Sequence, residues 1–243
     1  MRIVHIEETV STNHYLSKLG GSDDVCVWTD YQTAGRGCGT NSWESERGKN
    51  LLFSVRLHPA SVPAASQFVI SMANALALKK ALATYVDDIN IKWPNDIYWH
   101  DKKLGGTLIE TTLKGSEIRT CIIGTGINVN QQLFVSDAPN PVSLLQILGH
   151  EVDREQILQG VVRQLANYMK MIDNGCWDVV RQEYHNSLYR LEEPHYYLFG
   201  GRQLCCKLKG VTDEGRLRLQ LLGNQGEDCD TVTFAFKEVQ YVL

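Results

Sequence analysis

Between residues 89 and 123 the chain passes through four strand-like stretches, 89–93, 96–99, 103–112 and 117–123, with little more than a turn between each and the next. They read as one tight meander of short strands. Its centre is Ile91-Lys92-Trp93-Pro94-Asn95-Asp96, followed by Lys103-Leu104-Gly105-Gly106. Pro94 fixes its own φ and pushes Trp93 into an extended conformation, so the turn holding Asn95 and Asp96 is stiff. A stiff turn that sets Lys92, Asp96 and Lys103 on neighbouring strands suits a site. The same segment also reads as a hairpin with Trp93 in the core and solvated lysines, the usual fate of lysines.

The rest of the chain supplies the partners of that meander. Further strands are expected at 3–6, 25–29 and 51–57. Ser61-Val62-Pro63 opens a helix running to about Tyr85, with Phe68, Met72, Leu76 and Lys79 at helical spacing. A second helix starts on Asp153, with Gln156 three residues on, repeats Ile157, Val161, Leu165, Tyr168 and Ile172, and ends near Asn174-Gly175. Both apolar stripes read as core. The pattern predicts an α+β domain with helices on one face of a mixed, largely antiparallel sheet. After Tyr189 only short strands follow, at 203–209, 216–222, 230–236 and 239–242, with turns at Asp213-Glu214-Gly215 and Gly223-Asn224-Gln225-Gly226. They suggest a small barrel, giving domains 1–189 and 190–243. Cys205 and Cys206 point to opposite faces of a strand and read as packing residues.

A chain of 243 residues accommodates one large domain and a small one. Its net charge of -4 argues against a general nucleic-acid surface. Seven cysteines without a Cys-x-x-Cys pair indicate neither a zinc site nor a disulfide framework, so no metal site is expected and a reduced cytoplasm fits. The opening Met1-Arg2-Ile3-Val4-His5-Ile6-Glu7-Glu8 lacks the apolar run of a signal peptide, and no segment is long and apolar enough to span a bilayer, so no membrane partner is expected.

Three other segments carry polar chemistry. In residues 32–43, Gly35, Gly37 and Gly39 alternate around Arg36 and Cys38 and lead to Trp43. Such glycines let backbone N–H groups approach an anion, and the guanidinium is a fork of donors for carboxylate or phosphate. The spacing is neither a Walker loop nor a dinucleotide fingerprint, and a plain surface turn is the commoner explanation of such a loop. Residues 121–130 read as an apolar strand that breaks at Gly124 and Gly126 and resumes in alternation toward Asn128, marking either a ligand against the sheet or a bulge. Ser11-Thr12-Asn13 read as the cap of a short helix, or as groups that bind a polar heterocycle.

Taken in order, Ser11-Thr12-Asn13, Gln32 to Gly37, Trp43, Lys92 to Asp96, Lys103-Leu104-Gly105-Gly106 and Gly124-Thr125-Gly126-Ile127-Asn128 resemble the motifs of the biotin protein ligases. The resemblance implies a class II synthetase-like catalytic fold with an SH3-like C-terminal barrel. It implies two half-reactions: biotin and MgATP give biotinyl-5'-AMP and pyrophosphate, then a lysine of a biotin carboxyl carrier domain displaces AMP. Biotin, ATP and the carrier domain are thus the implied partners, with Mg2+ accompanying ATP. By motif position, Ser11, Thr12, Asn13, Gln32, Arg36, Gly37, Cys38, Lys103, Gly106, Gly124 and Gly126 are the biotin-binding set. Within it Ser11, Thr12 and Gln32 meet the ureido ring, and Lys103 meets the carboxylate and bridging phosphate. Arg36, Trp43, Lys103, Asn128 and Phe134 are the ATP-binding set; Phe134 reads equally well as an ordinary buried aromatic. Lys103, Arg36, Asp96 and Lys92 carry catalysis, with Asp96 serving either magnesium or the acceptor lysine and Lys92 near the triphosphate.

Cys38 departs from the pattern, standing where many members place an arginine or glutamine; a neutral thiol cannot pair with phosphate. The adjacent Lys102 leaves the motif alone to name Lys103 as the inward lysine. Loops 36–43 and 128–139 are expected to be mobile without ligand and ordered with biotinyl-AMP. Larger members carry an N-terminal helix-turn-helix repressor module; with no room for one before Ser11, a ligase without a DNA partner is expected. The oligomeric state stays open, a homodimer included. A lipoate or octanoate ligase of the same superfamily and a non-catalytic biotin sensor are the rivals. The order Lys-Trp-Pro-Asn-Asp speaks against the first, and pyrophosphate release separates the second.

Overall fold

The computed structural model describes residues 1–39, 41–135, 140–223 and 226–242. Residues 136–139 of the expected mobile loop, Thr40 of the glycine-rich loop, and Asn224 and Gln225 of the last expected turn lie outside them. Seven strands form the main sheet: β1 (Arg2–Thr9), β2 (Val25–Gln32), β3 (Leu51–Leu57), β4 (Ile89–Lys92), β5 (Asp96–Trp99), β6 (Lys102–Lys114) and β7 (Glu117–Ile127). Their spatial order is β1-β2-β3-β7-β6-β5-β4. Only β1 and β2 run parallel among these neighbours. The expected break in β7 at its glycines does not occur: Gly124 pairs with Ser54 and Leu108, and Gly126 with Leu52 and Gly106. Pairing on both edges holds the backbone extended where the absent side chains cannot.

Helices α1 (Thr12–Lys18), α2 (Phe68–Leu82), α3 (Leu144–Leu148), α4 (Arg154–Asp173) and α5 (Trp177–His185) surround the sheet. Alternation along the strands divides it into two faces. Cys26, Phe53, Val55, Cys121 and Ile123 join Leu76 and Leu78 of α2 and Leu165 of α4 in the large core, each such buried side chain contributing roughly 1.5–3 kcal/mol. Val25, Val27 and Ile122 point the other way and pack with Leu16 of α1. The long helices therefore share one face, as expected, and the short α1 lies alone on the second. Helix α2 starts later than expected, because Pro63 is extended (ψ 149°) and bridges to Glu117 before a 3-10 turn at Ala64–Ser66. Asp153 caps α4 as expected, its carboxylate accepting from the N–H groups of Glu155 and Gln156 at 2.8 and 3.3 Å.

A second, wholly antiparallel sheet follows: β8 (Pro194–Phe199), β9 (Arg202–Val211), β10 (Leu217–Leu222), β11 (Asp228–Phe234) and β12 (Gln240–Tyr241), ordered β11-β10-β9-β8-β12. Strand β8 was not expected from sequence, and neither was α5. β8 starts on proline and buries Tyr197 alone, and α5 buries Val180 and Tyr184 alone, so neither shows a long apolar period. This sheet docks on the meander's turn. Trp93 donates its indole N–H to the Gly215 carbonyl (2.9 Å) and meets the Phe236 ring edge to face at 6.3 Å.

Candidate functional site

The α1 face of the sheet carries the site. Cross-strand pairing places Ser54, Gly124 and Leu108 in one row and Leu52, Gly126, Gly106 and Asp96 in the next, with Glu110 and Ile122 beyond. Gly106, Gly124 and Gly126 lie side by side in these rows, so the middle of the floor has no side chains of its own. Other elements fill the space. A Cβ on Gly124 would lie 2.1 Å from Asn13 Oδ1, and one on Gly126 would lie 2.3 Å from the Trp43 ring.

At one end the N-terminus of α1 builds a neutral polar pocket. Ser11 caps the helix, its Oγ accepting from the His14 N–H at 3.1 Å, which leaves Thr12 and Asn13 facing the sheet. The Thr12 N–H donates to Gln32 Oε1 (2.8 Å), and Ser54 Oγ lies 2.6 Å from both Thr12 Oγ1 and Asn13 Oδ1. Asn13 Nδ2 donates to Glu110 Oε2 at 2.7 Å. That carboxylate also accepts from Arg36, at 3.0 and 2.9 Å to its two oxygens. Around the pair opens a cleft of about 470 Å³ bounded by Ser11, His14, Ala34, Arg36, Glu110 and Ile122.

The glycine-rich segment is a narrow hairpin in its described residues. Arg36 bridges to Ser42, the Gly37 N–H donates to the Asn41 carbonyl at 2.7 Å, and the Trp43 N–H to the Gly35 carbonyl at 3.0 Å. Cys38 is half-buried beside Gly37. Trp43 covers Gly126, and its buried indole N–H finds no acceptor among the described residues.

The other end is charged. Lys103 Nζ contacts Asp96 Oδ1 at 2.8 Å over Gly106 and sits 5.8 Å from the Trp43 ring centre. Lys102 is exposed, so Lys103 is the lysine that faces the site. Lys92 lies between the rings of Tyr98 and Tyr241, 4.8 and 4.9 Å from their centres, so the second sheet supplies one wall. Burial holds its ammonium below the ordinary lysine pKa; Asp96 opposes the shift, and Lys103 and Arg190 add to it.

Arg36 is not beside Lys103 in this conformation. Its partner Glu110 is four residues beyond Gly106 on β6, roughly 13 Å at the rise of a strand. Asn128 is buried, and its amide donates to the Val142 and Lys103 carbonyls at 3.1 and 3.4 Å, tying the start of β6 to the segment before α3. Phe134 is half-buried on a segment held to Glu44 through the Val135 N–H. Sequence reasoning missed Glu110, Ser54, Tyr98 and Tyr241. Period-two alternation from Gly106 leads to Glu110, and Ser54 is a lone serine in an apolar strand, so both left a signal.

The profile of the biotin/lipoate A/B protein ligase family matches residues 4–128, which hold almost every motif above. The chain belongs to the biotin/lipoate A/B protein ligase family. Among relatives, the bifunctional ligase/repressor BirA of Salmonella typhimurium is 30% identical over 217 residues, covering 86% of this chain and 67% of that protein. The biotin–[acetyl-CoA-carboxylase] ligase of Paracoccus denitrificans is 29% identical, covering 88% and 92%. The fold of this family member is similar to that of the biotin protein ligase from Aquifex aeolicus solved with biotin and ATP (TM-score 0.81, 24% identity, 99% of both chains).

Proposed function

We propose that this member of the family is an ATP-dependent biotin–protein ligase, forming biotinyl-5'-AMP and passing biotin to a lysine of a carboxyl carrier domain. One observation carries the reading: a neutral hydrogen-bonding pocket and a lysine–carboxylate pair lie on one glycine floor. The ureido ring offers one carbonyl acceptor and two N–H donors, which the Thr12, Asn13, Gln32 and Ser54 cluster complements. The biotin chain then points from this cluster toward Lys103, past Asn13 over Gly124 and Trp43 over Gly126.

The chemical difficulty is that a carboxylate must attack an equally negative α-phosphate. Lys103 neutralises both and follows the charge onto the bridging oxygen, while Asp96 holds the ammonium in place before ligand arrives. The carboxylate oxygen bonds to phosphorus and pyrophosphate leaves; the carrier amine then attacks the acyl carbon and AMP leaves. The orphaned Trp43 N–H fits a nucleotide acceptor. Lys92, paired with Asp96 across the meander's turn, adds positive potential, and Asn128 and Phe134 border the nucleotide side. Magnesium arriving with ATP would be held mostly by phosphate oxygens and water, with Asp96 available as a carboxylate ligand.

The domains divide near Arg190, and the seven unpaired cysteines fit a reducing cytoplasm. The deciding experiment supplies biotin and MgATP and follows pyrophosphate, then labelled biotin on a carrier domain. Activity is expected with both, whereas an unlabelled carrier sinks the reading. Lipoate, tested beside biotin in a thermal-shift assay, is expected to give the smaller shift.

A further inference from the structure

Glu110 lies outside every sequence motif, yet its carboxylate joins the two halves of the polar end. It accepts from Asn13 Nδ2 at 2.7 Å and from one amino group of Arg36 at 3.0 and 2.9 Å. Asn13 cannot move away freely. Its amide lies against Gly124, where even a Cβ would not fit, and its Oδ1 is 2.6 Å from Ser54 Oγ. The carboxylate is the shorter of two acceptors of the Asn13 Nδ2, the other being the Leu108 carbonyl at 3.3 Å, so it helps fix which way the amide points, and the guanidinium is anchored to the same group. Only one amino group of Arg36 is spent, leaving its other N–H donors for a ligand.

The ion pair is a poor stabiliser. Side-chain exposures of 50% for Arg36 and 41% for Glu110 put it in solvent, where such pairs contribute little to folding. What it does is geometric. We infer that Glu110 is a positioning residue of the biotin site, holding Arg36 at the root of the glycine-rich hairpin and Asn13 at the pocket wall in one register. This rests on the ligase reading above. Without Glu110, Asn13 keeps only its bonds to Ser54 and, at 3.3 Å, to the Leu108 carbonyl, and the hairpin loses the side-chain anchor of Arg36.

Two substitutions separate the halves. Glu110→Gln keeps an oxygen for Asn13 and offers no charge to Arg36; Glu110→Ala removes both partners. Hydrogen exchange of segment 33–43 and tryptic cleavage after Arg36, measured on ligand-free protein, are expected to speed up about fivefold to tenfold in Glu110→Gln, as for a local opening released from one charge-assisted bond. Thermal stability should barely move. The KM for biotin should rise about tenfold in Glu110→Gln and further in Glu110→Ala, with kcat for pyrophosphate release falling much less, since binding geometry and not the reacting charge is lost. Arg36→Gln combined with Glu110→Gln should exchange no faster than either alone. Unchanged exchange and unchanged KM in a folded Glu110→Gln overturn the proposal, as does a fully additive double variant. A wild type that neither binds biotin nor releases pyrophosphate overturns the ligase reading and the biotin half of this inference, while the exchange measurements still decide whether Glu110 anchors Arg36.

Discussion

At the polar end of the site Thr12, Asn13 and Ser54 are neutral and no more than 5% exposed, whereas at the charged end Lys103 and Asp96 keep 25% and 21% of their side chains in solvent. The difference follows from what each end must recognise. Neutral donors and acceptors can be buried if they satisfy one another, and a buried site rejects a ligand that leaves them unpaired. Ionised groups lose more on burial, so a lysine meant to meet an anion stays near water, paired with a carboxylate it can share. Lys92 is the intermediate case: half-buried, with aromatic faces in place of a carboxylate contact.

The strongest test of this division is Lys103→Ala. It removes the charge over Gly106 and is expected to lower adenylate formation by about a thousandfold with folding intact. Near-normal pyrophosphate release would move that role to Lys92. Next in size is Cys38→Arg, which sets a second guanidinium beside Arg36. A charge-assisted bond of about 1.5–3 kcal/mol to the phosphate should slow adenylate escape at least tenfold. An unchanged dissociation rate in a normally stable variant would show that position 38 does not hold the intermediate.

Gly124→Ala attacks the polar end. Its Cβ must displace Asn13, and biotin affinity is expected to fall about tenfold while ATP affinity changes little. Equal losses for both ligands, read by calorimetry, would dissolve the distinction between the ends. Lys92 gives a smaller, pH-dependent effect. With its pKa below the ordinary 10.5, its charge is lost earlier as pH rises, so the alkaline limb of the pH–rate profile should move upward in Lys92→Arg.

The smallest effect concerns the contact between α5 and the second sheet. His185 accepts from the Val211 N–H at 3.2 Å and lies against Gly210. Burial depresses its pKa, Arg218 and Arg181 on either side reinforce the shift, and the Val211 carbonyl and Asp213 oppose it. Its contribution to stability is complete above the ordinary value of 6.5. It declines as pH falls below that, because the unfolded chain takes up the proton first. Tm should therefore drop less between about pH 7.5 and 5.5 in His185→Gln than in the wild type; parallel curves would remove His185 from the account.

Much of this was written locally. The meander from Ile89 and the Asp153 cap follow from residue spacing, because turns, caps and strand alternation act over a few residues. Helix α3 was not expected, although Ser143 and Gln146 have the spacing of the capping box that starts it. Nor were β8 and α5, since each is held by packing against distant partners and not by its own periodicity. The motifs likewise named Lys103, Asp96 and Arg36, but not Glu110. That Arg36 answers to Glu110, and that a tyrosine near the C-terminus covers Lys92, was decided by pairing across the sheet and docking of the second one. Those contacts join residues far apart in the chain, where sequence spacing carries no distance.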